Sequence, residues 1–159
     1  MEKQNKLSMV VFSGDMDKVM AAFIIATGAA ASGMDVTMFF TFWGLKAIER
    51  DGAMTGQSLF GRMLGAMNRG GVEAIGPSRL NMGGMGRWMF KKMMKDKNVA
   101  SVRELRDLAI ELGVKMMPCQ MSMDVMEINC GHMIPQTTEP VGVAKFIEES
   151  QESTTTMFI

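Results

Sequence analysis

Five short apolar runs, Leu7–Phe12, Val36–Phe42, Val114–Pro118, Thr138–Val141 and Thr154–Ile159, alternate with helical patterns along the chain. The first, LSMVVF, carries two adjacent valines and reads as a strand buried on both faces, the signature of a parallel sheet. Parallel strands need crossover segments, and the sequence supplies them. Met16–Ser32 is apolar almost all round, with Gly33 suited to a left-handed stop. Leu45–Arg50 is a short helix. Ser101 and Glu104 form a capping box ahead of Val102, Leu105, Leu108, Ala109 and Leu112, which share one helical face. Gln120–Ile128 and Val143–Gln151 complete the set, the latter with Ala144, Phe146 and Ile147 toward the core. The alternation predicts an α/β fold with a parallel sheet covered by helices on both faces. With 159 residues the chain suits one domain.

Residues 51–98 break this rhythm. They hold most of the glycines and many of the 21 methionines. Ser58–Met67 and Trp88–Met94 read as helices, and NMGGMG (Asn81–Gly86) lies between them. No strand pattern occurs here, and the segment is too apolar for a solvated linker. It is expected to be an insertion packed over the domain. Its Met82, Met85, Met89, Met93 and Met94 are expected as core filler.

Charge and cysteine usage exclude several function classes. Lys plus Arg is 17 and Asp plus Glu is 17. A zero balance argues against nucleic acid as the main partner. Two Cys and one His exclude a disulfide framework and multi-Cys or multi-His metal sites. No metal or other cofactor is expected. The opening MEKQNK is polar, and Val19–Gly33 falls short of a bilayer span, so membrane association is not expected. The expected compartment is the cytoplasm, where both thiols stay reduced.

In open parallel sheets, ligands bind beyond the carboxyl ends of the strands. Three segments fall there: Ser13-Gly14-Asp15, Phe42-Trp43-Gly44 and Cys119-Gln120-Met121-Ser122. Asp15 can cap the helix that follows it, and the Gly14 loop can hold an anion on backbone N–H groups. No GxGxxG or P-loop pattern accompanies it. Cys119 stands at a strand end, at or just before a helix N-terminus, where free N–H groups favour a thiolate. A buried, inert thiol is the other reading of the same position. Ser122 can compete as the cap. Cys130, eleven residues on, and His132 are expected as ordinary loop residues. The basic cluster Arg87, Lys91, Lys92, Lys95 and Lys97 reads as the solvated face of a helix, or as a docking patch for an acidic partner.

Three segments together, VVFSGDMDKVMAAFIIATGAAASGMDVTMFFTFWG, NMGGMG and PCQMSMDVMEI, with the ending VGVAKFIEES…FI, resemble the DsrE/DsrF-like family. The likeness spans nearly the whole chain and is nearest to the Met-rich branch often labelled peroxiredoxin-like. That label fits poorly, because no Thr-x-x-Cys motif is present. Two stretches depart from the branch: IGPSRL is short, and Asn129-Cys130-Gly131-His132 stands where charged residues are expected.

The resemblance implies a single three-layer α/β/α domain over 1–159 with a mostly parallel sheet of about five strands. It also implies homo-oligomers and sulfur relay. Cys119 matches the position that carries sulfane sulfur as a persulfide in this family. The expected substrate-binding residues are Ser13, Gly14, Asp15, Trp43, Gly44, Gln120, Ser122 and Asn81. The implied partners are rhodanese-like and TusA-like sulfur carriers. The rival readings are a non-catalytic small-ligand-binding module, with Cys119 as pocket lining, and a structural oligomer subunit.

Overall fold

A computed structural model describes residues 5–159. Part of the polar opening, Met1–Gln4, lies outside the described residues. The strands are β1 (Lys6–Val11), β2 (Asp35–Phe40), β3 (Lys115–Pro118) and β4 (Thr155–Phe158). They form one sheet in the order β3-β2-β1-β4, and every pairing is parallel. The helices are α1 (Met16–Ala31), α2 (Leu59–Met67), α3 (Met85–Asp96), α4 (Val102–Glu111), α5 (Gln120–Val125) and α6 (Val143–Gln151). A 3₁₀ segment, Phe42–Ile48, leaves β2.

The register explains where many methionines go. Met157 pairs with Met9, Met9 with Met38, and Met38 with Met116, so one row of methionines crosses all four strands. Met9, Met38 and Met116 are buried with Val19, Phe23 and Ala26 of α1 and Val102, Leu105 and Ala109 of α4. An unbranched thioether fills such gaps without demanding one rotamer. Neighbouring positions Phe39 and Met117 face the opposite side, against Phe146 of α6. The Phe39 and Phe146 rings stack at 4.9 Å. Helices therefore cover both faces, the three-layer arrangement expected from the alternation.

The sheet has four strands, one fewer than the expected count. Thr138–Val141 runs beside β3 and makes only a single parallel bridge, Cys119 with Val141. Its backbone is nonetheless tied, Thr138 N–H to Met116 O and Val141 N–H to Pro118 O, both at 2.9 Å. Pro140 lacks the N–H that a continuous ladder would use.

Two helices bury the expected Val102, Leu105, Ala109 and Phe146, but expose other residues that their patterns place inside. On α6, Phe146 and Glu149 are inside, while Ala144 and Ile147 are exposed. Lys6 at the start of β1 holds Glu149 at 2.5 Å, both side chains nearly buried, and Lys115 joins at 3.2 Å. An ion pair thus takes the place expected for an aliphatic contact. On α4, Arg106 is buried and Leu108 and Leu112 are exposed. The capping box of Ser101 and Glu104 is formed as the spacing predicts.

In the insertion α2 and α3 form as expected, but Met82, Met85, Met89 and Met93 are exposed. Only Met94 packs against the main core. The apolar side of α3 faces outward, because α4 and α1 already fill that face of the sheet. Among the described residues no helix is long and apolar enough to cross a membrane.

Candidate functional site

The carboxyl ends of β1 and β2 meet through two glycines. An added Cβ at Gly14 would stand 2.5 Å from Trp43 O, and one at Gly44 would stand 2.1 Å from Val11 O. The close approach lets Gly44 N–H reach Phe12 O at 2.9 Å. Between the loops Phe42 is held at φ 44°, a conformation rare for a bulky residue. Phe12 lies 5.9 Å from Phe42 and 6.0 Å from Phe158, ring centre to ring centre.

Beside this crossing opens a cavity of about 440 Å³. It brings together five of the sequence-derived candidates: Ser13, Gly14, Asp15, Trp43 and Asn81. Gly44 is buried behind them. Asp15 occupies the N-cap position of α1, but its carboxylate makes no cap bond. It accepts instead from Ser13 Oγ at 3.2 Å and from Lys18 Nζ at 3.3 Å. Asp17 holds the insertion, accepting from Ser78 N–H at 2.9 Å and Ser78 Oγ at 2.7 Å. These bonds hold its carboxyl below the usual range against the opposing effect of its partial burial.

Sequence reasoning missed two cations of this cavity, Lys18 and Lys46, and read the third, Arg87, as part of a helical basic cluster. Lys46 donates to Asn68 Oδ1 at 3.0 Å, and Arg87 donates to Ala74 O at 3.0 Å. Burial holds Lys46 below the usual lysine range. Glu49 and Asp15 oppose that shift, and Arg87 adds to it. No local pattern links positions 46 and 87, so nothing short of the fold could pair them.

Cys119, Gln120 and Ser122 form a second locus at the end of β3. Cys119 is the N-cap residue of α5, and its N–H donates to Phe40 O at 2.9 Å. Gln120 N–H donates to Val141 O at 3.0 Å and Met123 N–H to Cys119 O at 3.0 Å. Among the described residues the N–H groups of Met121 and Ser122 have no backbone acceptor. Cys119 as a residue is 8 % exposed and belongs to an apolar cluster with Phe39, Met117 and Phe146, against which Val10 and Val141 pack. It does not line the cationic cavity. Gln120 is exposed, and Ser122 Oγ is buried without a hydrogen-bond partner.

Cys130 is exposed, on a 3₁₀ turn Cys130–His132. It borders a cleft of about 390 Å³ that also touches Gln57, Gln120 and Glu127. His132 Nδ1 accepts from Asn129 N–H at 3.1 Å and so closes its own turn.

Comparison with known proteins agrees with this architecture. The sequence profile of the DsrE/DsrF/DrsH-like family matches residues 3–158. The uncharacterized protein YrkE of Bacillus subtilis (strain 168) is 37% identical over 159 residues, covering 99% of both chains. The sulfur carrier protein DsrE2 of Allochromatium vinosum is 35% identical over 160 residues, again covering 99% of each. The crystal structure of the YchN protein from E. coli superposes with a TM-score of 0.57 at 9% identity, over 98% of this chain and 100% of that one. At that identity the likeness is one of fold.

Proposed function

The chain belongs to the DsrE/DsrF/DrsH-like family, and on that premise we propose that it is a sulfur-relay protein carrying sulfane sulfur as a persulfide on Cys119. The observation that carries the reading is the position of Cys119. It caps α5 at the carboxyl end of β3, beside two backbone N–H groups without backbone acceptors among the described residues. In the forward step the Cys119 thiolate attacks the outer sulfur of a donor persulfide R–S–SH. The donor S–S bond breaks and RS⁻ leaves with the electron pair, giving Cys119–S–SH. An acceptor thiolate then attacks that outer sulfur, and the Cys119 thiolate is released. The exchange is redox-neutral and needs no metal. The apolar cover of Phe39, Phe146 and Val141 would shield the persulfide from bulk thiols. The acceptors in this reading are other sulfur carriers of rhodanese-like or TusA-like type, met in the cytoplasm.

The test is intact-mass analysis of the reduced protein after treatment with polysulfide. The expected result is a gain of one sulfur, reversed by dithiothreitol, absent in Cys119→Ser and kept in Cys130→Ser. Sulfur lost with Cys130→Ser and kept with Cys119→Ser overturns the assignment. One observation favours the rival, a ligand-binding module: the cationic cavity, with its own polar groups, excludes Cys119 from its wall.

A further inference from the structure

A site with unsatisfied charge stands out once the other cavities are set aside. A larger cavity of about 820 Å³ lies against α3 and α4, where Glu73 takes two of the cations and Glu104 serves the capping box, leaving Lys95 without an ion pair among the described residues. There Lys91 pairs with Glu73 at 2.6 Å and Arg103 with Glu73 at 3.0 Å. The 440 Å³ cavity differs. Three cations, Lys18, Lys46 and Arg87, reach its wall, against the single carboxylate of Asp15. That carboxylate is already paired with Lys18 at 3.3 Å. Among the described residues, Lys46 and Arg87 bond only neutral oxygens, Asn68 Oδ1 and Ala74 O. Lys46 and Arg87 thus share a wall whose one lining carboxylate among the described residues, Asp15, is already held by Lys18, while Glu49 acts on Lys46 from outside the lining; two like charges so placed favour a shared anion.

The Asn81 amide adds a neutral donor to the lining; the Ser13 hydroxyl and the Gly84 N–H also lie there but already donate to Asp15 and to Asn81 O. The volume falls within the range of small-molecule sites and exceeds that of a bare oxyanion. Phe12, Trp43 and Met67 supply an apolar side to the same space.

We propose that the cavity between the Ser13–Asp15 loop, Lys46 and Arg87 binds a tetrahedral oxyanion group, phosphate-like or thiosulfate-like, carried on a small organic body. Arg87 offers a planar fork to two oxygens, and Lys46 offers a point charge. The aromatic edge takes the organic part. The site is independent of sulfur on Cys119, which lies outside its wall, so failure of the persulfide assay leaves this proposal standing.

The test is isothermal titration of the full chain at pH 7 and low salt with three probes: phenyl phosphate, inorganic phosphate and thiosulfate. Saturable binding of phenyl phosphate is expected, about tenfold tighter than that of the two inorganic ions. Equal affinity for all three would identify the free anion as the ligand, by the same chemistry. Lys46→Gln and Arg87→Gln are each expected to weaken binding about tenfold or more, with circular dichroism confirming the fold. Asp15→Asn removes the one lining carboxylate among the described residues and is expected to tighten binding severalfold, which keeps a readout if either cation variant fails to fold. Absence of saturable binding by all three probes overturns the proposal. So does binding that is indifferent to the cation variants, or to Asp15→Asn.

Discussion

Glu127, in the turn that follows α5, holds Ser58 at the head of α2: its carboxylate accepts from Ser58 N–H at 2.9 Å and from Ser58 Oγ at 2.6 Å. Gln57 N–H points at the same oxygen. A carboxylate from outside the helix thus serves N–H groups just ahead of α2, while Ser58 Oγ accepts from Gly61 N–H at 3.0 Å. This is how the insertion is fastened to the element that begins at Cys119.

Glu127→Gln is expected to loosen α2 without unfolding the sheet. Amide exchange over Leu59–Met67 should rise about tenfold, with β1 and β2 unchanged. The bonds from Ser58 and Gln57 hold the Glu127 carboxyl below its usual range. A depressed value means that the fastening is present above the ordinary glutamate range and is lost as pH falls through the lowered one. Exchange measured down to pH 3 should show wild type approaching the variant.

Gly61→Ala should act against helix propensity. Alanine in an exposed helix interior normally stabilises by about 1 kcal/mol over glycine. Here the added Cβ would meet the Glu127 carboxylate, 2.0 Å from Oε2. The expected outcome is a melting temperature lower than wild type, whereas in a Glu127→Ala background the same Gly61→Ala change should no longer lower it.

Glu49 provides a pH signature in the core. It is 2 % exposed, Oε2 has no hydrogen-bond partner, and burial pushes its carboxyl up to about 7 despite the opposing pull of Lys46. In the unfolded chain it titrates near 4.5. Between these values the folded state binds more protons, so stability falls as pH rises from about 4.5 to about 7, then levels off. Urea unfolding of Glu49→Gln should lack that decline and exceed wild type above pH 7 by about 2–3 kcal/mol. A wild type that gains stability over the same window would refute the assignment.

The outward apolar side of the insertion argues for self-association, in keeping with the homo-oligomer expected from the sequence. Phe60 is 76 % and Trp88 64 % exposed, and Leu59 and Met67 at the two ends of α2 are exposed as well. Apolar surface of this extent on a small monomer is an association site. Light scattering at micromolar concentration is expected to show more than one chain. Phe60→Glu with Trp88→Glu should move the mass toward 17.5 kDa. A wild type that is already monomeric refutes the expectation.

The fold was legible where one residue's environment follows from its neighbours in sequence. The valines of β1, the capping box at Ser101 and the glycine stop at Gly33 all carry local signals. The row of methionines across four strands does not, because register is set by pairing and not by any one strand. The inward turn of Glu149 depends on Lys6, near the other end of the chain. The site was legible in part for the same reason. Ser13, Gly14, Asp15 and Trp43 follow from the rule that ligands gather at strand ends. Lys46 and Arg87 belong to segments that meet only in three dimensions. The cover over Cys119 was hidden because Thr138–Val141 reads as a strand and serves as a strap.

That strap gives the last expectation. Val141 is bridged to Cys119 through the backbone and packs against the apolar cluster that holds it, and its segment is held by bonds to Met116, Pro118 and Gln120. Cys130, in contrast, is exposed. Size should therefore separate the two thiols. A bulky maleimide should label Cys130 in the folded protein and leave Cys119 until denaturant is added. A small polysulfide anion should still reach Cys119 through local opening of the strap. Val141→Gly removes the strap's apolar side chain from the Cys119 cluster while keeping the backbone bonds. It should raise maleimide labelling of Cys119 about tenfold and shorten the persulfide's lifetime against glutathione by a similar factor. Both quantities are read by intact mass on one sample. If labelling rises while the lifetime holds, the strap guards the thiol but not its bound sulfur, and protection must come from Phe39 and Phe146 beneath it.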